Sequence, residues 1–550
     1  MKISRRPKQT RPKQTRPKLA GARGHKGRGR GEATYLHQIK EMRATNYQMS
    51  GLYPFPMGGG SPMEGVPLGR NLITGEPVCC DPYSWFRYAR LISNPSAFVM
   101  ANPGLGKSSL LRRMAIGLSA YGVMSMNLGD LKGEHVEMTR LLGGAVNSLG
   151  SGAGHINLLD DCGAVAAAAS VTDERIRDEI LTSVHDRRLS AVLSVLSVVR
   201  KKPLDNTEES VLDRCLTLVE RRHADGQSAP VIHEVLDVLR DRPAEVREVA
   251  LDRGDSQRYL DNTEGVESGL MTLCGAGSFG DMFAQQSTDS IAVDRPLCFD
   301  LSRISQVEGD LRAATLLACW SNGFGVVKTS NLLADAGVID RIHYLVTLDE
   351  LWNTLAAGPG VVGQVNALTR LNRSWGVGQV YASHTPSDLL AVRDEEDRHK
   401  AKGIMDRCGI KILGGLAKSE MPLLTETVEL SQREQRELAA WQDPASWGRD
   451  NARNVRFSND DLFRTMDAAN ITDEDIHEWL GDEAGSSGES PEMVDDDRTD
   501  SPPPGQGKFL IKVGSRAGIP FQMSFTPTEK STRVHDTEEK WHTKVAKKEG

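Results

Sequence analysis

Two groups of residues have the types and spacing for phosphate chemistry. Residues 101–108 read Ala-Asn-Pro-Gly-Leu-Gly-Lys-Ser and match the pattern GxxxxGK[ST] at Gly106, Lys107 and Ser108, with Ala101 in place of the first glycine. Such a loop needs a tight turn whose backbone N–H groups point inward at phosphate oxygens. Gly104 and Gly106 permit that approach, and Asn102, Pro103 and Leu105 complete the loop. Lys107 is suited to bring a positive charge to the outer phosphates and Ser108 to ligate Mg²⁺. The helix that follows offers its N-terminus to the anion, and Ser109 supports the loop. The second group is Asp349-Glu350, at the end of the apolar run YLVTL. Asp349 is suited to hold Mg²⁺, directly or through its water, and Glu350 to polarise a water for attack on a γ-phosphate. Together the two groups imply a site for ATP and Mg²⁺ with hydrolysis as its outcome.

Further along, LTRLNRSWG places Arg370 and Arg373 three apart on an expected helix. Either is suited to be an arginine finger for a neighbouring subunit's γ-phosphate, because a bidentate cation matches the charge that develops on the phosphoryl oxygens. A surface or salt-bridge role fits each of them equally. His384 ends the apolar segment GQVYASH, where it reads either as a sensor of the γ-phosphate or as a structural hydrogen-bonder.

The elements that must position these residues follow from hydrophobic periodicity. SAFVMA at 96–101 reads as a strand, and LLRRMAIGLSAYG as a helix with Leu110, Leu111, Met114 and Leu118 on one face. Strand, glycine loop and helix is the order a phosphate loop requires. VMSMN at 123–127 reads as the next strand, with Asp130 and Glu134 just beyond it and the apolar helix MTRLLGG after them; GHINLLD at 154–160 reads as a further extended segment. From residue 164 to 289 only helical spacing occurs, in VLSVLSVV, VLDRCLTLVE and IHEVLDVLRD, broken by the turn signals LDNT and DGQSAP. Strand patterns then resume in RPLCFDL, IHYLVTLDE, GQVYASH and IKILGG, alternating with helices expected near 308–320 and 361–375. That alternation argues for an α/β fold with a mostly parallel central sheet covered on both faces. GKFLIKVG and IPFQMSF, within 507–525, read as a terminal β-hairpin added to the sheet's edge.

Composition bounds the rest. A chain of 550 residues, 39% hydrophobic and 26% charged, has sequence enough for one large or two medium cores plus polar tails. No run approaches the ~18–20 apolar residues of a spanning helix, and the basic start lacks an apolar signal region, so a cytoplasmic location is expected. The eight cysteines are scattered without zinc or disulfide spacing, and the adjacent Cys79-Cys80 reads as plain strand. The net charge of −7 conceals an asymmetry. Residues 1–31 repeat Arg-Pro-Lys-Gln-Thr with no acidic residue, a disordered arm suited to DNA or anionic lipid or serving only as a solubilising tail; residues 481–506 form an acidic Ser/Pro-rich linker. The implied division is a basic arm at 1–31, a first core segment at 32–163, the helical insertion at 164–289, a second core segment at 290–480, the linker at 481–506, and a hairpin and tail at 507–550.

Beyond the two phosphate groups, a series of motifs occurs in order. GLYPFPMGGG and GVPLGRNLITGEPVCCDP precede the glycine loop; GDLKGEH, GHINLLD, GSFGDMF, RPLCFDLS and VTLDELWNTL follow it; LTRLNRSWGVGQVYASHTPSDLL, GIKILGGL and GKFLIKVGSRAGIPFQMSFTPTE close the series. In these motifs residues 50–527 resemble the ATPase portion of the type IV secretion and conjugation ATPases of the VirB-four/TraC type, within the FtsK/HerA P-loop superfamily. The resemblance implies a RecA-like P-loop NTPase core with a helical insertion, a homo-hexameric ring, and service with channel proteins at the cytoplasmic face of the membrane. Two departures stand out. His384 occupies a place where glutamine is usual, and the large amino-terminal domain that usually precedes the ATPase is missing, so docking is expected to need a separate protein. The leading expectation is a motor that energises DNA or protein transfer. Its alternatives are a HerA/FtsK-like DNA translocase and a nucleotide-gated scaffold with little turnover.

Overall fold

A computed structural model describes residues 63–352, 375–442 and 505–535, apart from residues 151, 290, 292, 306, 391–394 and 533. The basic arm, the expected helix carrying Arg370 and Arg373, and nearly all of the acidic linker lie outside the described residues.

The run SAFVM forms a strand buried along its whole length, β3 (Ser96–Met100). Its alternate side chains serve two cores. Ala97 and Val99 pack with Leu110, Leu111, Met114 and Leu118 of the helix α1 (Lys107–Ser119), on one face of the sheet. Phe98 and Met100 pack on the other face with Trp320, Phe324 and Val327 of a long helix, α6 (Gly309–Asp335). A strand covered on both faces has no reason to alternate in polarity, which explains its continuous apolar run. The helix α6 is likewise buried around most of its circumference, as expected of a helix held between a sheet and other helices.

The remaining strands are β1 (Pro67–Asn71), β2 (Pro77–Cys79), β4 (Val123–Asp130), β5 (Ala145–Ser148), β6 (Leu297–Asp300), β7 (His343–Leu348), β8 (Gly378–Ser383), β9 (Ile410–Leu413), β10 (Lys508–Lys512) and β11 (Ile519–Met523). They form one sheet of 11 strands in the order β2-β1-β11-β10-β9-β3-β8-β7-β4-β6-β5. From β9 to β5 every pairing is parallel, and β10, β11, β1 and β2 extend the sheet antiparallel. The α/β expectation with a mostly parallel sheet holds.

Two local expectations change. The terminal hairpin of β10 and β11 does not end the sheet: β10 pairs with β9 and β11 with β1, so the hairpin joins the parallel part to the strands that precede the glycine loop. Residues 154–160 form no strand; a single bridge joins Leu149 and Gly154, and the strand in this region is β5. Ile156, Leu158 and Leu159 are all buried together, while the Asn157 side chain accepts from the Leu159 N–H and donates to the Pro230 carbonyl. That segment plugs the seam between sheet and helices, which needs neighbouring apolar residues rather than alternation.

Between Ala164 and Phe283 the described residues form helices and no strands, among them α2 (Glu174–Arg200), α3 (Asn206–Arg222), α4 (Ile232–Asp241) and α5 (Ser256–Cys274). The turn signal LDNT supplies the start of α3, where Asp205 caps the N-terminus and Glu208 closes a capping box. No helix among the described residues is long and apolar enough to cross a membrane.

Candidate nucleotide site

The loop between β3 and α1 is shaped by backbone conformation. Gly104 and Gly106 have φ of 80° and 95°, in the left-handed region where a side chain is disfavoured, and a Cβ on Gly104 would meet nothing within 4 Å. Asn102 N–H donates to the Gly415 carbonyl after β9, and the Leu105 carbonyl accepts from Gly507 N–H ahead of β10, so two neighbouring elements brace the loop from outside. The helix then begins at Lys107. Ala101, the departure from the glycine pattern, is fully buried at the strand end. Ser109 Oγ accepts from Arg112 at 3.4 Å, and Arg112 also donates to the Glu134 carbonyl at 2.8 Å, which ties α1 to the turn after β4.

One strand, β8, separates β3 from β7 in the sheet, and all three are parallel. Their carboxyl ends therefore lie side by side, where open α/β sheets place ligands. From β3 comes Lys107, from β7 Asp349 and Glu350, and from β8 His384. Lys107 Nζ is 3.5 Å from Asp349 Oδ1, 3.7 Å from Glu350 Oε1 and 3.4 Å from His384 Nδ1. His384 Nε2 is 3.1 Å from Glu350 Oε2. Nδ1 of the imidazole faces the lysine and Nε2 faces the glutamate. His384 thus links the loop lysine to the glutamate.

Two residues of GDLKGEH complete the cluster. Asp130, at the end of β4, accepts the backbone N–H groups of Lys132, Glu134 and His135 at 3.2, 3.1 and 2.6 Å. That carboxylate-centred turn points Lys132 and His135 at the acidic pair. Lys132 Nζ lies 2.8 Å from Glu350 Oε1, and His135 Nε2 lies 3.9 Å from Asp349 Oδ2. Trp352 Nε1 donates to Glu350 Oε2 at 2.6 Å. Sequence reasoning did not assign roles to Lys132, His135 or Trp352; the one signal was an Asp-x-Lys-Gly-Glu-His run at the end of a strand beside the phosphate loop.

The electrostatics follow from these contacts. Burial pushes the Glu350 carboxyl up, but His384, Lys107 and Lys132 outweigh it and hold it at about 2. Burial likewise raises Asp349, and Lys107 and His135 more than reverse the effect, so it lies far below the usual carboxylate range. Both are therefore anions at neutral pH. Glu350 has φ of 52°, a conformation costing a non-glycine residue about 1–3 kcal/mol, at the point where the strand turns to present its carboxylate.

The donor set fits Mg²⁺ and a polyphosphate. Ser108 and Asp349 offer the hard oxygen ligands that Mg²⁺ takes, in the small number it takes from protein when phosphates and water supply the rest. The braced glycine loop, the start of α1 and Lys107 offer backbone N–H groups and a cation for the anion. Ser108 is the second residue of α1 and is half-buried.

This arrangement is the fold of RecA-like P-loop NTPases, a mostly parallel sheet with the glycine loop between β3 and α1. No protein-family model matches the chain, and no curated protein matches it. Among solved structures, VirB4 of Thermoanaerobacter pseudethanolicus superposes with a TM-score of 0.55 at 16% identity, covering 86% of this chain and 98% of that one. At that identity the likeness is one of fold, and it spans both proteins almost completely. The bacterial conjugative coupling protein TrwBdeltaN70 is a looser overlap, with a TM-score of 0.40 at 10% identity over 83% of this chain and 88% of that chain. Looser still is the cytoplasmic domain of the type VII secretion ATPase EccC of Thermomonospora curvata, at a TM-score of 0.29 and 14% identity over 84% of this chain and 28% of that one.

Proposed function

We propose that this chain hydrolyses Mg²⁺-bound ATP and uses the cycle to energise a type IV secretion or conjugation-like machine that transfers DNA or protein. The observation that carries the reading is the convergence of Lys107, Asp349, Glu350 and His384 at the carboxyl ends of three adjacent parallel strands. The fold likeness to VirB4 and the ordered motifs of the sequence support the choice of machine. When bound, Mg²⁺-ATP supplies the phosphoanhydride to be cleaved. Lys107 neutralises the outer phosphates, Ser108 and Asp349 hold the metal, Glu350 polarises the attacking water, and His384 orients Glu350 against Lys107.

The active unit in this reading is a homo-hexamer, with Arg370 or Arg373 completing a neighbour's site. It works with channel proteins at the inner face of the membrane, and the arm at 1–31 grips DNA or anionic lipid. The division into arm, two core segments, helical insertion, linker and terminal hairpin belongs to the same proposal.

The test is ATPase turnover of the full chain with and without single- and double-stranded DNA, alongside its mass in ATP. Lys107→Ala is expected to abolish nucleotide binding or turnover, because backbone groups alone do not neutralise the outer phosphates. Unchanged affinity and rate in that variant would remove the P-loop assignment. Strong DNA stimulation would instead favour a translocase, and an ATP-dependent ring with negligible turnover would favour a scaffold.

A further inference from the structure

Lys132 has no part in the reading above, yet its position is tightly specified. Its backbone N–H is held by Asp130 at 3.2 Å, and its ammonium lies 2.8 Å from Glu350 Oε1. Lys107 addresses the same oxygen at 3.7 Å. Two ammonium groups therefore neighbour one carboxylate oxygen, and their mutual repulsion is relieved if one of them takes a second anion. The other oxygen of Glu350 is held by His384 and Trp352. Lys132 is thus the nearest cation to Oε1, an oxygen that makes no hydrogen bond among the described residues. Lys132 is the partner best able to leave: its side chain is 49% exposed on a flexible four-carbon stem, against 6% for Lys107.

A second observation points to a missing anion. Arg312 of α6 is nine-tenths buried, and its Nε has no hydrogen-bond partner among the described residues. Burial disfavours its charge, and Glu350 offsets part of that cost. A buried arginine with an unused donor is a second cation in this protein without an anion of its own among the described residues.

We propose that Lys132 is a movable cation that reads the γ-phosphate: it rests on Glu350 when no triphosphate is bound, and moves to the γ-phosphate oxygens when one is. The move frees Glu350 Oε1 to polarise water, so the base is armed only when its substrate is present. This inference rests on the ATP-hydrolysis reading and adds a discrimination between ATP and ADP to it.

The experiment is calorimetric titration of the full chain, with Mg²⁺, by a non-hydrolysable ATP analogue and by ADP. Lys132→Met keeps the length of the stem and removes the charge. It is expected to weaken the analogue by ~10–100-fold and ADP by less than about 3-fold, because one charge-assisted contact is made to the γ-phosphate alone. Lys132→Arg is expected to recover part of the analogue's affinity, since it restores the charge. Equal weakening of both nucleotides, or no change in either, overturns the proposal. So does faster turnover with unchanged discrimination, which would make Lys132 only a restraint on Glu350. If the wild-type chain binds neither nucleotide, the ATP reading itself fails, and the wild-type titration separates that result from a failure of Lys132 alone.

Discussion

Glu350 is the residue on which most of the site's contacts converge, and its chemistry is set by them. Lys132 and Lys107 act on one oxygen, and His384 and Trp352 on the other. A carboxylate held at about 2 is a weak base while these contacts persist, so its use in hydrolysis depends on their rearrangement. Glu350→Gln keeps the shape, and its amide still meets donors at one end. We expect it to leave ATP binding intact and slow hydrolysis by at least ~100-fold, the scale of a lost general base. Single-turnover measurements decide this, and a variant that hydrolyses at the wild-type rate would remove Glu350 from the chemistry. The histidine at 384 occupies a bridging place that the pattern of its neighbours explains. Its Nδ1 faces Lys107 and its Nε2 faces Glu350.

At the scale of elements, the helical segment is fastened by partly buried polar contacts as well as by its apolar faces. His185 of α2 bridges two carboxylates of α3, with Nδ1 2.6 Å from Glu220 and Nε2 2.8 Å from Asp213, and Arg188 joins Glu220 at 3.0 Å. The Glu220 contact chiefly, with Asp213 behind it and against the effect of burial, raises the His185 imidazolium from 6.5 to about 9. A raised folded value means that the stabilisation is fully present below pH 6.5 and is lost as pH climbs through about 9. His185→Gln is therefore expected to destabilise the chain clearly at pH 6 and much less at pH 9.5. Urea denaturation of both proteins at the two values checks it, and a gap that widens with pH would contradict the assignment. The same helix is tied to the core through Arg188, whose Nε donates to the Leu159 carbonyl at 2.7 Å. The buried segment at 156–159 is thus one of the contacts that tie α2 to the core.

For the molecule as a whole, the sheet order sets which chain segments can cooperate. The hairpin of β10 and β11 lies between the parallel strands and β1, and Gly507 ahead of it donates to the phosphate loop. Arg113 of α1 also pairs with Glu529, just past β11, at 2.6 Å. Residues 507–529 are therefore part of the frame around the loop. In the proposed ring a site is completed in trans, and replacing the finger arginine should leave ATP binding near normal while turnover falls by ~10³-fold or more. We favour Arg373 over Arg370, because it lies nearer in sequence to the strand leading to His384. Mixing such subunits with Lys107→Ala subunits should restore some activity, since one interface of the mixed ring then holds a complete site. Rates that never exceed the sum of the separate variants, or arginine variants with full turnover, would rule the trans arrangement out.

Much of this protein is written in local pattern. The glycine loop, the apolar runs of β3 and β7, the helical spacing after residue 164 and the acid pair at 349–350 are legible because each depends on neighbours within a few residues. Backbone sterics and burial act at that range. What the tertiary structure alone decided is which distant segments meet. Lys132 and His135 reach the acid pair because β4 settles beside β7, and His384 reaches both Lys107 and Glu350 because β8 lies between β3 and β7. The inward place of the terminal hairpin and the plug at 156–159 are of the same kind. Strand order arises from pairing across long stretches of chain and from the requirement that both faces be covered, and neither leaves a periodic mark on the residues themselves.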